Sequence, residues 1–185
     1  MGAEFEKQVS VIMGVYNQWN REALQKAVKS ILNQTLTDFE FIIYDDGSDP
    51  EVAGYIRELE KLDERIVLIG KEENHGLAFS LNMCIGAARG KYIARMDADD
   101  ISLPERFAKQ AAYLDAHPNV TVCGTAIELF CEGSVTGTRF PAAGPEKLKE
   151  DLFFSCGIAH PSVMMRRAAI LELGGYDPAF NGMED

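Results

Sequence analysis

Three carboxylates fall within four residues at Asp97-Ala98-Asp99-Asp100, directly after a short apolar run at residues 92–96. Charges this close repel one another unless a cation neutralises them or a carboxyl keeps its proton. Oxygen ligands of this kind suit Mg2+ or Mn2+, which complete their shells with water and phosphate oxygens. A second acidic pair, in Asp45-Asp46-Gly47-Ser48, ends the apolar run at residues 39–44. Each string also has a plain structural reading. Asp-Asp-Gly-Ser is built of turn formers, and an acidic turn ahead of a helix suits the helix dipole. The usual phosphate cradles are missing from the sequence: there is no G-x-x-x-x-G-K-[ST], no G-x-G-x-x-G after a strand, no G-x-S-x-G and no H-E-x-x-H. A diphosphate gripped through a divalent cation is the chemistry that remains.

The elements that must position these acids follow from the apolar pattern. Nearly continuous apolar runs at residues 9–15, 39–44, 66–69 and 92–96 read as strands buried on both faces, as in a parallel sheet. Helical stripes lie between them. Ala23, Leu24, Ala27, Val28, Ile31 and Leu32 share one face behind an Asn20 cap. Asp49-Pro50 opens a second helix. A third carries Leu77, Leu81 and Ile85 and is expected to stop at Gly90. Ser102 to Glu105 resembles a capping box for a helix through Leu114. Strands are expected at residues 120–130 and 134–140 around a Glu132-Gly133 turn, then a helix at 145–153, a strand at 162–165 and a helix at 167–173. The expected fold is α/β: a doubly wound, mostly parallel sheet flanked by helices, with a short additional antiparallel β element, in one domain over residues 1–185. In such sheets ligands bind beyond the carboxyl ends of the strands. That edge collects Val15-Tyr16-Asn17, Asp45-Asp46 and Asp97 to Asp100.

Composition narrows the partners. A formal net charge of -11 argues against nucleic acid and against anionic lipid. The four cysteines, Cys84, Cys123, Cys131 and Cys156, lack the paired spacing of a zinc site and read as small buried residues of a reducing compartment. No signal peptide and no apolar run of membrane-spanning length is present. The expectation is a soluble, cytoplasmic protein, peripheral at most to the inner face of a membrane.

The strings VSVIMGVYN, SILNQTLTDFEFIIYDDGSD, NHGLAFSLN, GKYIARMDADD, HPSVMMRR and GGYDPAFNGMED occur in order. Together they resemble the family 2 inverting glycosyltransferases of GT-A fold, from Val9 to the end of the chain. The resemblance implies a nucleotide-sugar donor, UDP in the typical case, and a saccharide or glycolipid acceptor of the polysaccharide-building kind. It implies that Val15, Tyr16 and Asn17 lie along the nucleotide, and that Asp46, beside Asp45, bonds the base. In the D-x-D pair, Asp97 would contact the ribose or metal region and Asp99 would coordinate Mg2+ or Mn2+, with Asp100 in support. Glu184-Asp185 match the late E-D pair, whose aspartate is the general base. His160, in the H-P-S segment, would line the sugar or diphosphate, or serve packing alone. Arg166 and Arg167 read as a solvated helix start, and Trp19 as packing or binding.

Two positions depart from the family pattern. Leu81 stands where an arginine often precedes the asparagine matched by Asn82, and Arg95 could supply a charge at the diphosphate instead. In the family more chain follows the E-D pair, so donor binding with weak or absent transfer is expected of this length. Two other readings stay open on residues alone. A haloacid dehalogenase-type phosphatase also carries D-x-D at a strand end, but on an early strand and with Thr or Val soon after. A non-catalytic nucleotide-sugar-binding module is the second.

Overall fold

The computed structural model describes residues 5–131, 133–141, 144–151 and 157–180. Strands β1 (Lys7–Val15), β2 (Phe39–Asp46), β3 (Ile66–Lys71) and β4 (Gly90–Arg95) alternate with helices α1 (Arg21–Leu32), α2 (Pro50–Leu59) and α3 (Leu77–Ala87). Helix α4 (Arg106–Ala116), strands β5 (Val122–Cys123), β6 (Ile127–Cys131) and β7 (Ser134–Arg139), helix α5 (Pro145–Asp151), strand β8 (Met164–Arg166) and helix α6 (Arg167–Glu172) follow. Six strands form one sheet in the order β3-β2-β1-β4-β8-β5, and β6 and β7 make a separate hairpin. The first four strands run parallel; β8 pairs antiparallel with both β4 and β5. The expected α/β architecture is therefore the observed one.

Both faces of the sheet are covered, which explains why the strands have no polar side. Val9, Val11, Met13, Phe41 and Ile43 pack against Leu24, Ile31, Ile56, Phe107 and Leu114 of α1, α2 and α4. Ile12, Ile42, Tyr44 and Ile93 face Leu81, Cys84 and Ile85 of α3 on the other side. Burying a large aliphatic side chain stabilises by about 1.5–3 kcal/mol, so these two layers dominate folding. At the amino-terminal rim the buried Glu40 accepts from Ser10 Oγ at 2.7 Å and from Arg89 Nε and Nη2 at 2.9 and 2.7 Å. Its charge is thereby matched where no ligand is expected.

Several local expectations are corrected. Asn20 caps α1 as expected, accepting from Ala23 N–H at 3.1 Å. Gly90 does not stop α3, which ends at Ala87; it opens β4, where an added Cβ would lie 2.5 Å from the Ser10 nitrogen. The capping box does not form. Glu105 is the N-cap of α4 without a side-chain bond, and Phe107 N–H instead donates to Gln34 Oε1 from α1's far end at 3.1 Å. The single strand expected at 120–130 is two, because the chain leaves the main sheet after Cys123 and re-forms as the hairpin. Gly133 turns that hairpin with φ +80°; Glu132 and Phe153 lie outside the described residues. Arg166 is not solvated: it donates to Leu114 O at 2.7 Å and Val120 O at 2.8 Å, closing the end of α4. Of the cysteines, Cys84 is buried, with its thiol pushed up to about 12 by desolvation, whereas Cys131 is exposed and Cys156 lies outside the described residues. No described helix is long and apolar enough to cross a membrane.

Candidate active site at the carboxyl rim

Register fixes where the chemistry-bearing loops meet. Val15 pairs with Asp45, and Ile12 with Arg95, so the loops after β1, β2 and β4 leave the sheet at one rim. Strand order reverses around β1, with β2 on one side and β4 on the other; that switch point opens the crevice in which α/β sheets bind ligands.

The β1 and β2 loops are stitched together. Asn17 sits at φ +46°, a conformation that asparagine tolerates better than most residues. Its N–H donates to Ser48 Oγ at 3.0 Å, and its Oδ1 accepts from Asp49 N–H at 2.7 Å. Asp45 Oδ1 accepts from Ser48 N–H at 3.0 Å, bracing the turn that follows β2. Tyr16 and Trp19 stand exposed beside this turn, at 55% and 56%, so Trp19 is not a packing residue. Val15 itself is buried.

Asp46 points to the α3 face and is 2% exposed. Its carboxylate accepts from His75 N–H at 3.0 Å, Gly76 N–H at 2.8 Å and Asn74 Nδ2 at 3.0 Å. Those bonds hold the loop that enters α3. Gly47, at φ +76°, lets that loop come within 2.6 Å of where a Cβ would sit. Reading residues one by one missed this partner loop. Asn74, His75 and Gly76 open the string NHGLAFSLN of the family resemblance, but their role as partners of Asp46 is visible only in the fold.

The third loop carries the acidic cluster. Asp97 Oδ1 lies 2.5 Å from Arg95 Nη2. Arg95 is 2% exposed, and its Nε and Nη1 have no hydrogen-bond partner among the described residues; its guanidinium lies under Asp97 and not in the open rim. Arg106, which sequence reasoning also missed, is half-buried behind it and donates to Arg95 O at 2.8 Å. Desolvation and then repulsion by Arg95 pull the Arg106 guanidinium down to about 10. Asp99 is exposed and makes no hydrogen bond or ion pair among the described residues. Asp100 is half-buried, and its carboxyl is raised by desolvation and then by Asp97 and Asp99, against the pull of Arg95 and Arg106. A native carboxyl that holds its proton more tightly than the unfolded chain contributes stability below the unfolded value, lost as pH rises through the folded one. Asp100→Asn is therefore expected to raise the melting temperature of metal-free protein at about pH 7 and to leave it nearly unchanged at about pH 4. A mutant that melts lower at neutral pH contradicts this.

Among the described residues, no three His, Cys, Asp or Glu side chains gather into a closed metal cage. The donor set nevertheless fits Mg2+ or Mn2+, which one or two carboxylates commonly hold together with substrate phosphates and water. Asp99, open and unpartnered, offers such a ligand, with Asp97 two residues away. His160 reaches the same rim. The antiparallel register sets Ala94 against Met164, and Arg95 N–H donates to Val163 O at 3.0 Å, which carries residues 160–162 up beside the end of β4. His160 is 6% exposed, and its Nε2 lies 2.8 Å from Tyr176 Oη. Glu184 and Asp185 lie outside the described residues.

The sequence model of Glycosyl transferase family 2 matches residues 10–174. The chain belongs to that family. Among curated relatives, this family 2 chain is 38% identical over 170 residues to EpsE of Bacillus subtilis, a glycosyltransferase by description, covering 91% of this chain and 60% of EpsE. It is 34% identical over 174 residues to the O-antigen biosynthesis glycosyltransferase WbnJ of Escherichia coli, covering 94% and 67%. Two solved structures share the GT-A-like fold. The mannosyltransferase PcManGT of Pyrobaculum calidifontis, in complex with GDP-Man and Mn2+, matches with TM-score 0.69 at 16% identity, over 94% of this chain and 48% of that one. TarS 1–349 of S. aureus, in complex with UDP, matches with TM-score 0.70 at 19% identity, over 96% and 52%. The family 2 chain thus spans about 60% of the length of EpsE.

Proposed function

We propose that this family 2 chain is the donor-binding domain of an inverting glycosyltransferase that uses a UDP-sugar and a divalent cation to build a polysaccharide or glycolipid. The observation that carries the reading is the meeting of the β1, β2 and β4 loops at one switch point, with Asp99 open and Asp97 braced. GDP-mannose with Mn2+ in PcManGT and UDP in TarS support a nucleotide-sugar donor in the same crevice. WbnJ, an O-antigen enzyme, supports a saccharide acceptor.

In this reading Tyr16, Asn17 and Asp45 flank the nucleoside, and Asp46 holds the β3–α3 loop against it. Asp97 faces the ribose. Asp99 and Asp97 would hold Mg2+ or Mn2+, which when bound supplies positive charge against the departing diphosphate. Asp185 takes the proton of the acceptor hydroxyl, whose oxygen bonds to the anomeric carbon as the bond to UDP breaks on the opposite face. General-base help of this kind contributes roughly 10²–10⁴ in rate. The 185 residues form a single domain that binds the donor, and the whole protein's acceptor is a saccharide or glycolipid.

Calorimetric titration of UDP with and without Mn2+ tests the reading. Tight binding only with metal is expected; metal-independent binding, or none, overturns it. Hydrolysis of simple phosphate esters would instead favour a phosphatase.

A further inference from the structure

Helix α6 ends in two consecutive left-handed glycines, Gly174 at φ +84° and Gly175 at φ +86°. They fold the chain back toward the sheet, with Gly175 N–H donating to Ile170 O at 2.9 Å. The returning segment meets one side chain of α3. Asn82 Nδ2 donates to Tyr176 O at 2.7 Å, and Asn82 Oδ1 accepts from Tyr176 N–H at 2.7 Å. One amide thus satisfies both backbone groups of Tyr176, as a neighbouring strand would. An added Cβ on Gly175 would collide with Asn82 Oδ1, so the glycine is what permits the approach.

The grip runs on to the rim. Tyr176 Oη is 2.8 Å from His160 Nε2, and the two rings lie 5.4 Å apart with their planes at 60°. Asn82 is on the same helix whose entry loop is held by Asp46, and that helix packs under Gly14 of β1 through Leu77 and Ser80. Asn82, Tyr176 and His160 therefore form a chain from the face of the sheet to the rim beside the end of β4.

We infer that Asn82 is a positioning residue for the donor-sugar end of the site, acting through Tyr176 on His160. The inference rests on the donor-binding reading above and assigns a role to a side chain outside the β1, β2 and β4 loops. Asn82 fixes the His160 wall beside the end of β4, so its loss disturbs turnover and not UDP affinity.

The test measures UDP affinity in Mn2+ and the rate of UDP release from UDP-GlcNAc, with water as acceptor. Asn82→Ala is expected to leave UDP affinity within about twofold and to slow release roughly 30- to 100-fold, the scale of a misplacement of about 1 Å remote from the chemistry. Hydrogen exchange should show the Tyr176 amide losing protection while the amides of β1 and β2 keep theirs. Asn82→Asp, which retains the acceptor for Tyr176 N–H, should recover part of the rate. Tyr176→Phe, which preserves packing and removes only the bond to His160, should slow release with UDP affinity unchanged. Release at the wild-type rate in both Asn82→Ala and Tyr176→Phe overturns the inference, as does a parallel loss of UDP affinity. Failure of the wild-type protein to bind UDP would strike the donor-binding reading itself, a result the two variants cannot produce.

Discussion

Asp99→Ala is expected to abolish the dependence of UDP binding on Mn2+ while leaving the fold untouched. Asp99 is exposed at the rim and has no partner among the described residues, so its truncation should change stability by no more than about 0.5 kcal/mol. A cation's stabilisation of developing phosphate charge is worth several kcal/mol, so the rate of UDP release should fall by roughly two to three orders of magnitude. Calorimetry and thermal unfolding on the same sample separate the two effects. If the variant still binds UDP more tightly in Mn2+ than in EDTA, Asp99 is not the ligand.

Asp46→Ala should behave in the opposite way, with damage to the fold coming first. The buried carboxylate accepts three bonds from the loop before α3. Removing it strands the His75 and Gly76 N–H groups, at a cost of about 1–3 kcal/mol for each one left without a partner. A loss of about 3 kcal/mol would lower the melting temperature by roughly 6–12 °C in a chain of this size. Asp46→Asn should rescue it only in part, because its one oxygen can still accept while its NH2 faces a donor. In the donor-binding reading, where this loop flanks the nucleoside, UDP affinity should fall as well. An Asp46→Ala protein that melts like the wild type would remove Asp46 from this role.

The contrast between these two aspartates marks what was legible in the sequence. Apolar runs without a polar face announced buried parallel strands, and the acids at their ends announced the rim. Periodicity carries no information about which of two adjacent carboxylates is consumed internally. Asp45 and Asp46 read alike as turn formers, yet the pleat sends one to the Ser48 N–H and the other under the α3 loop. Arg95 likewise looked available to a ligand because burial is a tertiary property, and it lies beneath Asp97. Local rules also misplaced the α4 cap. Ser102 satisfied the spacing of a capping box, but Gln34 from the end of α1 serves that helix and takes Ser102 as a further partner at 3.2 Å. The split of the expected long strand at Gly124 had no signal beyond the glycine itself.

That split carries a consequence of its own. The chain departs from the sheet at Gly124 and comes back at Ile158, and the two residues abut, with Thr125 N–H donating to Ser162 Oγ at 3.2 Å. Loop closure costs little more as an excursion lengthens once its ends are fixed together. The hairpin and α5 therefore occupy a natural insertion point, whose length can change without altering the strands on either flank.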